Sequence, residues 1–303
     1  MPPKGPRRRT CAQMVVHEFL AETQPEYRER RLAAEEETRH SIDSGQAMRV
    51  RAKLTTIQVV VHVVYASEAE NISDAQVQSQ IDSLNRDFGA TNRDKSKVPS
   101  AWSSLVVDSN IQFALAKKDP KGKKTSGITR TATKATSFGF KHEVKARKTG
   151  GINPWPTDRY LNIWVCNLER LLGYAQFPGG PSKTDGVVIL TSAFGTNGAA
   201  QAPFNKGRTA AHEVGHFLGL RHIWGDSNDG TGDDFVADTP PALQANFGKP
   251  KFPHISCNNG PNGDMFMNYM DYVDDAAMFM FTVGQVARMN ATLAGPRKKL
   301  ASL

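Results

Sequence analysis

The sequence predicts an α/β (α+β) protein, in which a sheet layer carries helices and an irregular C-terminal part follows. Residues 55–67 are TTIQVVVHVVYAS, a β-branched run typical of a buried central strand. Residues 71–89 have apolar side chains at helical spacing, and Ser73 is placed to cap that helix. A strand followed by a helix and then by further strands is the order of an α/β layer.

Three more apolar runs predict the remaining strands. They are IQFALA at 111–116, YLNIWVCNL at 160–168 and DGVVILTS at 185–192. Residues 120–150 are rich in Lys, Gly and Thr and predict loops. A helix is expected from Arg208 to about Gly219. Asp, Gly, Asn and Pro then dominate until 281–295, which predict a C-terminal helix.

The first 53 residues form a separate segment. They are charged and helix-prone, with too few apolar positions for a core of their own. The opening MPPKGPRRRT is basic but has no apolar run behind it, so no secretory signal peptide is visible. The segment closes with the basic residues Arg49, Arg51 and Lys53, which predict an exposed linker.

The net charge of +8 would suit a nucleic-acid-binding protein, so its distribution matters. Residues 117–148 hold eleven Lys and Arg against two acidic residues, whereas residues 225–275 hold nine Asp against two Lys. The basic stretch carries no nucleic-acid-binding motif, so we expect a solvated surface and no nucleic-acid partner. Contact with an anionic surface stays open. No run approaches the ~18 apolar residues of a membrane-spanning helix.

Three cysteines, Cys11, Cys166 and Cys257, are widely spaced along the chain. Their odd number and spacing argue against a disulfide framework and allow at most one internal bridge.

The strongest signal in the chain is AHEVGHFLGLRH, which begins at Ala211. His212 and His216 are four residues apart, so on a helix both imidazoles reach one ion. Glu213 projects beside that ion, where a carboxylate takes a proton from water activated by zinc. A glycine three residues after His216 lets the helix stop, and the chain returns to deliver His222 as the third ligand. Three protein ligands leave a fourth position open, as in catalytic zinc sites.

The alternative is a helix with chance histidines on its surface, and the fixed offsets of the longer motif weigh against it. HExxHxxGxxH is the pattern of the metzincins, whose second feature is a downstream Met-turn. NYMDY lies about fifty residues further on and offers Met270 as the floor of the site and Tyr272 as a phenol facing the scissile carbonyl. Considered alone, Met270 would be a core methionine. The other five histidines lack such spacing and are expected to be structural or exposed.

With these residues in place, the chain resembles the pappalysin family of metzincins, especially its ulilysin-like members. Six segments in order carry the resemblance: IQVVVHVVY, NISDAQVQSQIDSLNRDF, DGVVILTSAFG, AAHEVGHFLGLRHIWGD, VADTPP and NYMDYVDDAAMFMFTVGQVARM. It implies a metzincin fold, with a twisted, mostly parallel N-terminal sheet plus helices and a small irregular C-terminal subdomain. The implied divisions are a pro-segment at 1–53, an N-terminal subdomain with the active-site helix at 54–219, and a C-terminal subdomain with the third zinc ligand and the Met-turn at 220–303.

The resemblance implies a zinc-dependent endopeptidase that acts on protein or peptide substrates by zinc-activated water. DGVVILTS would be the edge strand along which an extended substrate lies. Tyr272 would stabilise the reaction intermediate. Asp275, with Asp274 beside it, would shape the S1′ pocket and favour Arg or Lys at P1′. The competing interpretation is that both aspartates cap a turn or bind calcium.

Two further roles are implied. Structural calcium (Ca²⁺) would bind between the zinc motif and the Met-turn, where Asp238 and Thr239 match best among several loop aspartates. Solvated loop aspartates are the alternative. Cys11 would block zinc (Zn²⁺) in a latent zymogen as a cysteine switch, with self-cleavage at the basic linker. A tail cysteine without a role is the competing interpretation.

The sequence departs from the family at Ala277, where members carry a paired cysteine. Secretion, which the family resemblance implies, is put in doubt by this and by the missing signal peptide. Two other functions stay open: a zinc-holding scaffold that no longer cuts, and a binder of nucleic acid or anionic surfaces through 117–148. The oligomeric state is not predicted.

Overall fold

The computed structural model describes residues 6–47 and 54–301. Its strands are β1 Thr55–Tyr65, β2 Ile111–Leu115, β3 Ile128–Ala132, β4 Leu161–Cys166, β5 Gly173–Ala175 and β6 Val187–Leu190. Its α-helices are α1 Gln13–Thr23, α2 Tyr27–Asp43, α3 Asp74–Phe88, α4 Arg208–Phe217 and α5 Val283–Ala294. Short 3₁₀ turns connect several of them.

The strands form one sheet in the order β2-β1-β4-β6-β5. β3 also pairs with β1, along its second half from Val61 to Tyr65, while β2 pairs with its first half. All pairings are parallel except that of β5 with β6. The prediction of a mostly parallel sheet with helices is therefore confirmed, and the β-branched run of β1 lies at its buried centre, as expected for a strand covered on both faces.

Two strand predictions were wrong. DGVVILTS contains β6, which lies between β4 and β5 and is not the edge strand; the edge is β5, Gly173–Ala175. β5 has only three residues, so the sequence shows no periodicity that would predict it. It pairs antiparallel with β6 at the outer edge of the sheet. β3 lies inside the 120–150 stretch predicted as loops. Its side chains are half-exposed and lack a hydrophobic pattern.

The helices that support the site begin where the sequence indicates. The Ser73 hydroxyl accepts a hydrogen bond from the Gln76 amide at 3.1 Å, which caps α3 as predicted. α3 packs against both β2 and α4, the helix of the HExxH motif. Thr282 and Gln285 form a reciprocal capping box at the start of α5.

Between α4 and α5 the chain has no α-helix or strand, as predicted, and is held by apolar packing. Its buried methionines and aromatic residues continue the same core that the sheet and α3 contribute to. Buried residues from both sides of Gly219 therefore belong to one core, and the division at 219/220 stays a prediction.

The N-terminal segment lies on this body. Val16 and Leu20 of α1 and Tyr27 of α2 are buried, with α1 against β5 and α2 against α5. The predicted linker residues Arg49, Arg51 and Lys53 fall outside the described residues. Cys11, Cys166 and Cys257 are all free thiols. In the described part of the chain no helix has the length and apolar character needed to cross a membrane.

Candidate active site

Three predicted metal-binding histidines meet at one buried point. His212 and His216 lie one turn apart on α4, and the Nε2 atom of His216 lies 3.2 Å from that of His212. The same atom lies 3.0 Å from the Nε2 of His222, which follows the helix. The turn that brings His222 back depends on Gly219, whose φ is +91° and where a Cβ would lie 2.7 Å from the Thr292 hydroxyl.

The opposite ring nitrogens fix how these histidines point. The Nδ1 of His212 meets the Tyr269 carbonyl oxygen at 2.7 Å, and that of His216 meets the Leu220 carbonyl oxygen at 2.8 Å. A carbonyl oxygen only accepts, so each Nδ1 carries the proton and each Nε2 presents its lone pair to the common point. The Nδ1 of His222 meets an Asp226 carboxylate oxygen at 2.5 Å, which assigns the same tautomer.

This arrangement fits zinc. Three lone pairs directed at one another repel unless a cation lies between them, and tetrahedral bonds of ~2.05 Å would separate the nitrogens by ~3.3 Å. Burial lowers the pKa of His212 and of His216 well below the usual value, so both are neutral, as metal binding requires.

Cys11 of the N-terminal segment supplies a fourth donor. Its sulfur and the three imidazoles each offer an atom within 4.8 Å of all the others. The segment is held there by β5 and its preceding loop: the Leu172 amide donates to the Thr10 carbonyl at 2.9 Å, and the Ala12 amide to the Gly173 carbonyl at 3.1 Å. Burial, with the charge of Glu213, raises the pKa of the Cys11 thiol, so a thiolate at this point needs a cation beside it.

Glu213 lies next to the cluster, with one carboxylate oxygen 3.5 Å from the Cys11 sulfur. β5 passes so closely over it that a Cβ at Gly173 would lie 2.9 Å from the Glu213 side chain. Burial raises the pKa of Glu213 to about 8, because the charged carboxylate has been removed from water. The Cys11 contact and the Arg9 charge act against that rise.

Met270 and Tyr272 of the NYMDY segment both lie close to the histidine cluster. Met270 is fully buried under α4, and a Cβ at Gly215 would lie 2.5 Å from its sulfur, so a larger residue there would displace the Met270 side chain. The Tyr272 ring lies 4.9 Å from the His222 ring between centroids. Its hydroxyl donates to the Cys11 carbonyl oxygen at 3.3 Å.

Asp275 lies at the bottom of a pocket that holds Arg9. The Arg9 guanidinium donates to an Asp275 carboxylate oxygen at 2.7 Å, to the Thr209 hydroxyl at 3.1 Å and to the Val273 carbonyl at 3.1 Å. The Phe204 ring lies 5.1 Å from its central carbon. Both charged side chains are essentially inaccessible to water.

The second carboxylate oxygen of Asp275 is held by backbone. It accepts from the Lys206 amide at 2.7 Å and from the Arg208 amide at 3.4 Å, just before and at the start of α4. Arg208 also donates to the Asp275 carbonyl at 2.6 Å and to both oxygens of Asp94. Asp275 is therefore a fixed part of the frame that carries the zinc motif.

The predicted calcium residues make other contacts. Asp238 accepts from the Thr282 hydroxyl at 2.6 Å and from the Gly284 amide at 2.8 Å, which favours a capping role at α5. The Thr239 hydroxyl contacts the buried Asp234 carboxylate at 2.8 and 2.9 Å. Burial raises the pKa of Asp234 to about 7.

Sequence reasoning placed Arg9 in the cysteine-switch segment but missed its pairing with Asp275. It also missed Arg208, Asp94 and the contact between Asp226 and His222. Arg9 lies two residues before Cys11, but one of three consecutive arginines carries no signal of its own. Asp226 is one of the loop aspartates considered for calcium in the sequence, and its position four residues after His222 was the available signal for its contact with that ring.

Comparisons with known proteins agree with this site. The sequence profile of the family described as "Pregnancy-associated plasma protein-A" matches residues 149–294. The chain is 32% identical to an extracellular metalloprotease of Arthroderma otae, over 77% of this chain and 76% of the relative. It is 34% identical to an extracellular metalloprotease of Pyricularia oryzae, over 82% of this chain and 78% of the relative.

Solved structures show the same similarity. Mature mirolysin of Tannerella forsythia, in complex with a cleaved peptide, is 51% identical and covers 82% of this chain and 96% of its own, with a TM-score of 0.81. A promirolysin mutant from the same organism is 46% identical over 97% of both chains, with a TM-score of 0.85. The chain therefore belongs to the pappalysin family of metzincins and is a metalloendopeptidase.

Proposed function

We propose that this enzyme is a zinc endopeptidase made as a zymogen, in which His212, His216 and His222 hold the metal. The observation that carries the proposal is the convergence of three buried Nε2 atoms, with separations of 3.0 and 3.2 Å from the central one, each opposite a bonded Nδ1. Residues 1–53 would be the pro-segment, and 54–219 and 220–303 the two parts that flank the cleft.

The protein groups around the metal would divide the chemistry as follows. Zinc, when bound, polarises the scissile carbonyl and lowers the pKa of a water molecule. The Glu213 carboxylate takes a proton from the attacking water and later passes it to the leaving amine. The Tyr272 hydroxyl donates a hydrogen bond to the oxygen that gains negative charge. Met270 packs under α4 and fixes the position of this helix, which carries His212 and His216.

Latency would come from Cys11. Its sulfur would be the fourth zinc ligand, which the 4.8 Å span of the four donor atoms supports. The residues on either side of it hydrogen-bond to the edge strand and its preceding loop, where an extended substrate would lie. The names promirolysin and mature mirolysin, which belong to two forms of a similar protein, are in line with a zymogen.

A basic P1′ preference would come from Asp275. Support comes from Arg9, which fills the Asp275 pocket in the covered site as a substrate side chain would. Three acceptors meet three different guanidinium nitrogens. A lysine ammonium matches fewer of these directions, so we propose that Arg is preferred to Lys.

Structural calcium is proposed for the loop that holds Asp234 and Thr239. The Asp234 carboxylate is buried, yet the groups that donate hydrogen bonds to it, the Thr239 hydroxyl and the Val236 amide, are uncharged. A calcium ion there would stabilise a buried carboxylate that is otherwise costly. Asp238 is the second candidate. A rise in melting temperature with Ca²⁺ but not Mg²⁺, lost in Asp234→Asn, would support the site.

We also propose that the enzyme is secreted, because the similar fungal proteins are named extracellular metalloproteases. Its substrates would be proteins or peptides.

The test is digestion of a peptide mixture by the trypsin-activated protein after trypsin has been inhibited, with cleavage sites identified by mass spectrometry. Chelator-sensitive cuts on the N-terminal side of Arg and Lys are expected; trypsin cuts on the C-terminal side, so the two are distinguished. Glu213→Ala protein treated identically is the control. Chelator-sensitive cuts elsewhere would overturn the role of Asp275. No cleavage after proven removal of residues 1–53 would favour the inactive scaffold.

A further inference from the structure

His222 is held differently from the other two histidines of the cluster. His212 and His216 lie on α4, so the helix sets their spacing, and their Nδ1 atoms meet backbone carbonyls. His222 comes five residues after the last residue of α4, in a segment with no regular structure. Helix geometry therefore does not orient its ring, and side chains must do so.

Two side chains fix the His222 ring, one at its edge and one at its face. The Asp226 carboxylate lies 2.5 Å from Nδ1. The Trp224 indole stacks on the imidazole with centroids 4.4 Å apart and planes 9° apart. The Tyr272 ring lies edge-on to both stacked rings, with its centroid 4.9 Å from that of His222 and 4.8 Å from that of Trp224.

The backbone is shaped to bring Asp226 back to His222. Gly225 and Asp226 both have positive φ, 63° and 60°. Such consecutive left-handed residues reverse the chain, and aspartate tolerates this conformation better than most residues. At Gly225 a Cβ would lie 2.0 Å from the Asp233 amide nitrogen, so the turn is pressed against the following loop.

We propose that Asp226 is a positioning residue of the zinc site and that Trp224 restricts the ring it positions. The proposal rests on the proposed role of His222 as a zinc ligand. By accepting a hydrogen bond from the Nδ1–H group, the Asp226 carboxylate keeps the proton on Nδ1, leaves the Nε2 lone pair free for the metal and increases its donor strength. Asp226 thereby belongs to the zinc site through His222.

The test measures zinc affinity directly, in a Cys11→Ala background so that the thiol does not mask the loss. Zinc dissociation constants are obtained by competition with a chromogenic chelator. Asp226→Ala is expected to weaken zinc binding about 10- to 100-fold, and Asp226→Asn by less because the amide oxygen still accepts. Asp229→Asn is the matched control, since that carboxylate is on the same loop and bonds Thr231; its affinity should stay within about twofold of the parent.

Two further readouts separate positioning from a general structural role. The metal-free Asp226→Asn protein should unfold at the temperature of the metal-free parent, and its cobalt(II) absorption bands should shift relative to the parent. An Asp226→Ala protein with the zinc affinity of the parent would overturn the proposal. So would a loss of metal-free stability in Asp226→Asn that matched the loss of affinity. A parent that binds no zinc would overturn the proposed function itself.

Discussion

At the scale of single residues, Glu213 and Cys11 are in direct contact. Their side chains lie 3.5 Å apart beside the histidine cluster, in a site that the N-terminal segment covers. Burial accounts for the pKa of about 8 at Glu213 in this covered form. Departure of the segment would return water to the carboxylate, which lowers that pKa, and would remove the Cys11 contact and the Arg9 charge, which raises it.

We expect Glu213→Ala, freed of residues 1–53, to fold and to bind zinc but to lose turnover. General-base catalysis contributes about 10²- to 10⁴-fold, and the loss in kcat should lie in that range or above it. The measurement is kcat on a cleaved peptide together with zinc content per chain. Glu169→Ala, an exposed carboxylate on the loop before β5, is the control. Near-parent turnover in Glu213→Ala would rule out the mechanism.

Asp275→Asn should remove the preference for Arg at P1′ without abolishing zinc binding. The amide still accepts from the backbone but no longer offers a charge to a cation, and charge-assisted bonds are about twice as strong as neutral ones. The ratio of kcat/KM for Arg over Leu at P1′ should fall at least about tenfold. Asp274→Asn, one residue earlier and partly exposed, is the comparison. An unchanged ratio would mean that the pocket is formed by other groups.

At the scale of elements, α2 fixes the N-terminal segment to α5. The Arg288 guanidinium of α5 lies 2.7 Å from Glu35, and Arg31 of α2 lies 3.1 Å from the other Glu35 oxygen. Arg31 also lies over the Phe177 ring at 4.8 Å. These contacts attach the segment that carries Cys11 to the C-terminal helix, in addition to its backbone hydrogen bonds with β5 and the preceding loop.

This contact predicts acid sensitivity. Burial alone would raise the pKa of Glu35, but the charge and hydrogen bond of Arg288 outweigh it, with help from Arg31, and the pKa is lowered from 4.5. A carboxylate whose pKa is lowered by folding stabilises the protein above its unfolded pKa, and this is lost as the pH falls through the folded pKa. Glu35→Gln should therefore cost about 1 kcal/mol near pH 7, and progressively less as the pH falls from 4.5 through the folded pKa of Glu35.

The measurement is the free energy of unfolding of both proteins across that pH range. Glu36→Gln is the control, because Glu36 is exposed and its partner Arg39 is exposed as well. A Glu35→Gln effect that did not shrink on acidification would show that packing, and not charge, holds α2.

At the scale of the whole molecule, one core joins the parts before and after Gly219. Arg297, near the C-terminal end, donates to both oxygens of Asp185 at 2.5 and 2.8 Å and to the Phe217 carbonyl at 2.7 Å. Its guanidinium also lies 3.5 Å from the centre of the Phe217 ring. The C-terminal part is thereby bound to the turn before β6 and to the last residue of α4, the helix that carries the HExxH motif.

Arg297→Ala should destabilise the whole body by about 3–5 kcal/mol, because it leaves a buried carboxylate without its partner. In the Arg297→Ala protein, residues 54–301 should still unfold together in one transition. Lys299→Ala, two residues further on and exposed, should change the free energy of unfolding by less than about 0.5 kcal/mol. Separate transitions for the two parts, measured by calorimetry, would contradict a single cooperative core.

Patterns within one segment could be predicted from the sequence. The helix of 74–88, the buried strand β1 and the spacing of His212, His216 and His222 depend on neighbours along the chain, and local periodicity reports them. β5 and β3 could not be predicted this way: one is three residues long, and the other has no apolar face. Their positions depend on which edges of β1 and β6 the other strands leave unpaired.

The sequence by itself determined the fold class, the family and the residue types of the metal centre, because these are written as fixed offsets within short segments. Tertiary structure alone decided the contacts between distant segments. Arg9 reaches Asp275 across 266 positions, and Cys11 meets Glu213 of α4 across 202. Asp226 is near His222 in sequence, yet its contact depends on two left-handed residues that the pattern of side chains does not reveal. Spacing along the chain does not specify such contacts, because the contacts depend on how the whole core packs.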